Sequence, residues 1–454
     1  MSPSASGSGR SSLRLGLRFA SISAGRVWDS YWFVPGLYVI GALALSIGLV
    51  RWDQADPIHL SQSISSSSAS TALSALGSGM LAFTGFVTSV VLMLVQFGSS
   101  QFSPRLVAMF RRNRTLVYSL STFSATFLFA LVSTAQIGRG SADFVPTRTL
   151  VAALLLTLLS IMMFFVLINA TSDGLRVAKV LQTVDRLARV VFDTVYPSNA
   201  SDAAAARQTA RSLGARTPVQ TVRVGPVGRV VVAVDQLGIA DLAHRHDALV
   251  ELVPAIGDHV PGGGTLLHVY GSHELSERRL RRYVATGDER TLTDDPAFAL
   301  RMLVDVASKA LSPAVNDPTT AVQSLDRIED LLRYAAAKHL SVGVVTDSDD
   351  TARFVFRTPT WDDLVELALD EIRAFGASQY QVARRMRALL DDLIADLPED
   401  RRAALQRQSD LLDDAVAAAI SEGQRADALV ADRQGIGMVR GAEAGAGRGD
   451  SHGR

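Results

Sequence analysis

The 454-residue sequence predicts four transmembrane helices joined to a cytoplasmic α+β part, in which a small β-rich subdomain precedes a helical subdomain. Three observations predict it. Four apolar runs, at about 31–50, 77–97, 116–137 and 149–170, each supply the roughly 20 residues that a bilayer core demands. Charge is unevenly shared: residues 1–171 hold eleven arginines against four acids, a net of +7, so the remainder of this +0 chain carries −7. Beyond residue 218 the pattern changes to short β-rich runs and then to helical periodicity. The length also exceeds that of an ordinary single domain.

Taken in order, residues 1–25 read as a disordered N-terminal segment, Ser- and Gly-rich over 1–12. The first apolar run does not read as a cleaved signal peptide, because no A-x-A-like site closes it. Residues 26–171 form the four-span domain. Its orientation follows from the arginines near the span ends. Arg10, Arg14, Arg18 and Arg26 precede the first span, and Arg105, Arg111, Arg112 and Arg114 lie between the second and third. Arg176, Lys179, Arg186 and Arg189 follow the fourth, whereas the other two loops hold only Arg51, and Arg139 with Arg148. Both termini are expected in the cytoplasm, with the Ser-rich loop 57–72 outside.

The span interiors contain no Asp, Glu, Lys, Arg or His, which argues against ion-coupled transport. The second span carries Ser78, Ala82, Gly85, Ser89 and Gln96 in one narrow stripe; the third carries Ser119, Thr122, Thr126 and Ser133. Close helix packing is the plainer reading of such stripes and a pore lining the sharper one.

Residues 172–218 are expected to continue as a helix out of the fourth span, with Val177, Leu181, Val184, Leu187 and Val191 on one face, and then to form a linker. The runs "VQTVRV", "GRVVVAV", "ALVELVP" and "TLLHVY" within 219–275 predict a small sheet or barrel with a short helix near 237–245. The turn in "GDHVPGGGTLLHV" (257–269) resembles a hairpin of biotinyl and lipoyl domains, but residues 219–270 lack the lysine that swinging-arm chemistry requires. Five histidines fall nearby, His244, His246, His259, His268 and His273. With Glu251 or Asp258 they could bind a divalent metal, although the spacing matches no standard ligand set, and no cofactor is expected. The chain has no cysteine, which excludes disulfides and thiolate metal sites. The cluster "RRLRR" (278–282) lacks interleaved aromatics, so nucleic acid is not expected as a partner. A solvated helix face or contact with anionic lipid headgroups are the remaining readings.

Residues 276–431 are expected to be almost wholly helical and 432–454 a disordered tail. Thr360 with Asp363 makes a capping box, Gly376 a C-cap, and helices follow at about 378–396 and 399–421. Within this part "ALSPAVNDPTTA" (310–321) interrupts two helical patterns. Asp295-Pro296 opens the upstream helix and Asp317-Pro318 the downstream one, each an N-cap acid before a proline at the first helical position. The downstream apolar face is Ala321, Leu325, Ile328 and Leu332.

The break also ends a polar row. Arg301, Asp305, Ser308 and Ser312 recur at steps of four, three and four and lead to Asn316, Asp317 and Thr320, while Phe298, Leu303, Val306 and Ala310 supply the core side. Those seven polar residues are the candidate site for a small polar or anionic ligand. The competing reading is an Arg301–Asp305 pair bracing a turn that Asn316 completes.

The blocks "SSQFSPR" (99–105) and "GDERTLTDDPAFALRMLVDVASKALSPAVNDPTTA" (287–321), with the four-span layout, resemble a bacterial family of predicted membrane proteins, domain of unknown function 2254, over about residues 25–420. The resemblance implies a multi-pass protein of the bacterial inner membrane without assigned catalytic residues. The leading functional expectation is a membrane-anchored binding or regulatory protein, embedded in the bilayer and homo-oligomeric. The alternative is an oligomeric channel lined by the second and third spans. An enzyme ranks third, because no nucleophile elbow, P-loop, zincin helix or dinucleotide fingerprint occurs.

Overall fold

In the computed structural model, the described residues are 33–56, 66–101, 114–137, 145–174, 176–196, 217–292, 294–340 and 343–437. Contacts divide the chain into two units, Arg18–Lys179 and one that includes Val180–Arg454. The segment expected to be disordered at the N-terminus and the linker 198–216 lie outside the described residues.

The first unit contains four helices long and apolar enough to cross a membrane. They are α1 (Phe33–Ala55), α2 (Ser66–Gln101), α3 (Arg114–Ile137) and α4 (Thr147–Gly174). Leu37, Ile40, Phe86, Leu155 and Phe165 are exposed on them, as expected of side chains that meet lipid tails. Helix α3 is central and packs on each of the other three. With 36 residues α2 spans about 54 Å, and it corrects one expectation: residues 66–72 are helix rather than loop. A Ser-rich stretch can be helical because its hydroxyls bond back to carbonyls one turn earlier, as Thr71 does to Ser67 (2.8 Å) and Ser78 to Ser74 (2.8 Å).

Helix α4 ends at Gly174, so α5 (Val177–Val195) is a separate helix and not a continuation of it; glycine is a poor helix former. The buried face of α5 is Leu181, Val184, Ala188, Val191 and Val195, and Leu187, expected on it, is exposed.

The second unit is α+β. In chain order come β1 (Gln220–Arg223), β2 (Arg229–Val234), α6 (Gln236–Arg245), β3 (Leu249–Leu252), β4 (His259–Val260), β5 (Thr265–Tyr270), α7 (Glu277–Arg282), β6 (Val284–Gly287), α8 (Pro296–Ala310) and α9 (Pro318–Ala336). Then follow β7 (Val344–Thr346), β8 (Ala352–Val355), α10 (Trp361–Gly376), α11 (Tyr380–Asp396), α12 (Glu399–Ala419) and α13 (Glu422–Ala428). One sheet runs β1-β5-β3-β8-β7 and a second β4-β2-β6. All pairs are antiparallel except β3–β8, which sets Val250 beside Phe354. Both sheets contribute to one core, with Val222, Val231, Val250, Leu267, Val269 and Phe354 fully buried.

The strands do not stop at residue 275. Strands β6, β7 and β8 lie in the region expected to be helical, a correction with a clear cause. Val344, Val345, Phe354 and Val355 flank the polar turn Asp347–Asp350, a hairpin pattern of strand-favouring residues around turn formers.

The remaining helices pack in a layer: α8 on α9 and α10, α9 on α11, and α12 on α10 and α11. The caps follow the sequence. Asp295 accepts from the Phe298 N–H, Asp317 from that of Thr320, and Thr360 with Asp363 forms the reciprocal capping box. Ala321, Leu325, Ile328 and Leu332 are buried as expected. Gly376 is not the C-cap; Ala377 is. The glycine serves close packing instead, because a Cβ there would lie 2.5 Å from Val382 Cγ1. The described structure continues past 431 as an irregular segment. Buried Asp432 accepts the N–H groups of Gln434, Gly435 and Gly437, which holds 432–437 in place where a disordered tail was expected.

Candidate functional site

The break between α8 and α9 is a filled turn. The Asn316 N–H donates to the Ser312 carbonyl (2.8 Å) and that of Asp317 to Ala310 (2.8 Å). Asn316 itself sits at φ 48°, a left-handed conformation that asparagine tolerates better than most residues. Both carboxylate oxygens of Asp317 are engaged by Thr320, one by its N–H at 3.1 Å and one by its hydroxyl at 2.6 Å.

The polar row on α8 is half-buried, because helix α10 packs against it. Asp305 is buried and accepts from Arg301 Nε (2.7 Å), and the Arg301 guanidinium forks onto both oxygens of Glu371 of α10. Ser312 Oγ donates to the Lys309 carbonyl (2.7 Å), and Asn316 Oδ1 accepts from Gln379 (3.4 Å). The Ser308 hydroxyl is buried without a hydrogen-bond partner among the described residues. The fold therefore unites Arg301 with Asp305 and Asp317 with Thr320, but leaves Ser312 and Asn316 on separate partners and the Ser308 hydroxyl on none among the described residues.

A different place offers volume. A cavity of about 300 Å³ is lined by Val224, Gly225, Pro226, Val227, Arg229, Leu266, Arg281, Val284 and Thr286. Val224, Leu266 and Val284 are buried and form an apolar floor. Arg229 and Arg281 stand at the rim; Arg229 pairs with the exposed carboxylate of Asp288, and Arg281 bonds the Arg223 carbonyl and Glu277. The turn 225–228 is seated against Gly262, where a Cβ would come within 2.1 Å of the Pro226 carbonyl oxygen. Sequence reasoning marked the "RRLRR" cluster but missed this cavity, because its walls come from three separated segments. The available signal was a G-P-V-G turn bordered by Arg223 and Arg229, followed by a glycine run at 262–264.

The histidines do not converge. His244 Nδ1 lies 2.8 Å from Asp347 Oδ2, and His268 Nδ1 lies 3.2 Å from Thr221 Oγ1. Glu251 accepts from Tyr270 (2.7 Å), whose pKa burial and this carboxylate push up to about 12, and Asp258 accepts from the Ala255 N–H (2.8 Å). Among the described residues no three groups of metal-ligating type come together. Arg353 first, then His244, hold Asp347 well below the usual carboxylate range. Asp295 is shifted the opposite way, raised by burial although Arg290 opposes the rise.

In the four-helix unit the two stripes part company. Ser119, Thr122, Thr126 and Ser133 of α3 are buried. Ser119 Oγ donates to the Met163 carbonyl (3.3 Å), Thr126 meets Ser160 (2.9 Å), and Ser133 meets Ser46 (2.8 Å). Ser78, Ala82, Gly85, Ser89 and Gln96 of α2 are all exposed. Asp53, in the last turn of α1 beyond the expected span, is fully buried; it accepts the Thr149 N–H (2.9 Å) and hydroxyl (2.8 Å) and pairs with Arg148 (3.4 Å). The chain thus caps α4 with a carboxylate from α1.

Comparison with known proteins adds a family relation. A family model described as predicted membrane protein (DUF2254) matches residues 28–392. An uncharacterized protein of Mycobacterium tuberculosis (strain H37Rv) and one of Mycobacterium bovis are each 28% identical over 376 residues, covering 80% of this chain and 69% of the relative. No solved structure matches.

Proposed function

Because the chain belongs to the DUF2254 family of predicted membrane proteins, we propose that it acts as a membrane-anchored binding or regulatory protein whose α+β unit recognises a small polar or anionic ligand. We place that unit, and both termini, on the cytoplasmic side of a bacterial inner membrane, on the strength of the arginine distribution. The observation that carries the reading is the cavity of about 300 Å³ with Arg229 and Arg281 at its rim. Its volume suits a small molecule, and two guanidiniums favour an anion. The seven-residue row at the N-D-P turn is the weaker candidate, since Arg301 is held by two carboxylates, one of them buried, whereas Arg229 and Arg281 each pair with a single exposed carboxylate.

The test is thermal melting of the full chain in detergent with glycerol phosphate, pyrophosphate or citrate. An anion that binds the folded state at a hundred times its Kd stabilises it by about 2.7 kcal/mol, and Arg229→Ser or Arg281→Ser should abolish the gain. No shift with any anion, or an equal shift in both variants, rejects the cavity as the site.

One observation favours a second reading, an oligomeric channel: the exposed stripe from Ser78 to Gln96 on α2. In a channel, reconstituted protein would pass ions or small solutes, and Gly85→Leu or Ser89→Leu would block flux while leaving assembly intact. An impermeable liposome discards this alternative.

A further inference from the structure

We propose that the arginine face of α7 and the adjoining cavity dock on the phosphate headgroups of an anionic lipid bilayer, with Val227 entering the headgroup layer. This rests on the reading of the cavity as the binding site and names its ligand class.

The first support is unneutralised charge. Buried Leu280 anchors α7, and Arg278, Arg279 and Arg282 are exposed with no ion pair among the described residues. Elsewhere in the unit Arg301, Arg333, Arg353, Arg385 and Arg387 are all paired with carboxylates. Residues 223–229 and 276–290 together hold seven arginines and three acids, inside a part of the chain that is otherwise acidic.

The second is shape and polarity. Val227 is 63% exposed at the tip of the 225–228 turn, with Arg223 and Arg229 flanking it in sequence. An apolar tip among cations is what a headgroup layer accommodates, apolar contact below and phosphate around it. The cavity repeats that order, with Val224, Leu266 and Val284 as floor and guanidiniums as rim. A free phosphate would engage only the rim, whereas an amphiphile covers both. The chain supplies the occupant too, since this unit is covalently continuous with four membrane-type helices.

The chain contains no cysteine, so Val227→Cys provides a single site for an environment-sensitive fluorophore, and Ser348→Cys, exposed on the β7–β8 turn, provides a control. Full-chain protein is placed in nanodiscs of phosphatidylcholine alone or with added phosphatidylglycerol. Docking predicts a blue shift at residue 227 only with phosphatidylglycerol, none at residue 348, and loss of the shift at raised salt. The triple variant Arg278→Ser, Arg279→Ser, Arg282→Ser should lower the docked-to-undocked ratio about a hundredfold, and the matching lysine triple should keep it. Should the serine triple melt early, Arg282→Ser alone gives the same direction with about a fivefold loss.

Identical emission at residue 227 in both discs, or a response that the serine triple leaves untouched, overturns the proposal. If glycerol phosphate stabilises the protein through Arg229 and Arg281 while the residue 227 label ignores lipid charge, docking fails and the soluble-ligand reading stands. If neither occurs, both fail. A response of the label to a single-stranded oligonucleotide in phosphatidylcholine discs would replace the bilayer by nucleic acid and also overturn it.

Discussion

Helices α2 and α3 carry nearly the same kind of stripe, small and hydroxylated residues three or four apart, yet only that of α3 is buried. The difference lies in position. Helix α3 touches all three other helices, so its hydroxyls find Ser46, Ser160 and the Met163 carbonyl across interfaces. Helix α2 packs through a different face, where Leu73, Met80 and Val87 are buried and a Cβ on Gly77 would lie 3.5 Å from that of Ala130. The same contrast recurs in the α+β unit. On α8, Arg301 and Asp305 are engaged within the fold, while Arg278, Arg279 and Arg282 of α7 are exposed without an ion pair among the described residues. Engaged polar groups hold the fold together; the unengaged arginines are the ones proposed above to meet a partner.

That distinction can be broken by mutation, and the expected effects fall in order. Thr126→Leu should do most harm, because it overfills the centre of the four-helix unit and deletes the contact with Ser160; about 2–3 kcal/mol is expected in detergent unfolding. A stable variant would mean that the α3 stripe is not packed as described. Arg301→Met leaves the buried Asp305 carboxylate and Glu371 without their cation. The pair is partly exposed, so about 2 kcal/mol is a reasonable ceiling, read as a lowered denaturant midpoint.

Asp317→Ala removes an N-cap and should cost about 1 kcal/mol. Asp317→Ser caps comparably and should restore the melting temperature. If Asp317→Ser and Arg301→Gln fold well but both abolish anion binding, the N-D-P turn is a site after all, and the order of the two candidate sites reverses. The smallest effect belongs to Gly85→Leu on the exposed face of α2. Away from packed features such a change stays within about 0.5 kcal/mol. A loss above that, accompanied by a smaller assembly in size-exclusion chromatography, would show that a second copy covers this stripe.

Much of this was legible in the sequence. Periodicity and run length gave the four apolar helices, and Asp-Pro pairs marked the starts of α8 and α9 because a cap and a fixed φ are local devices. The same holds for Thr360 and Asp363. What was not legible depends on distant partners. Strands β7 and β8 are short, and β8 is fixed by parallel pairing with β3 about a hundred residues earlier. The polar row read as a candidate ligand site because nothing near Arg301 in sequence announces Glu371. The cavity draws on residues from Val224 to Thr286, and no single window contains its shape.

The parallel pair also bears on how the chain comes to be folded. Strand β3 is flanked by β5, which follows within twenty residues, and by β8, which a ribosome completes only at Val355. Until then one edge of β3 has its backbone donors and acceptors open, beside the apolar residues Val250 and Leu252. Long-range pairing of this kind closes slowly, so the nascent α+β unit passes through an aggregation-prone interval after its own membrane helices have been made. Chains truncated ahead of Ala352 should remain in that interval, and premature stops in this region are expected to yield aggregates or degradation products instead of a smaller working protein.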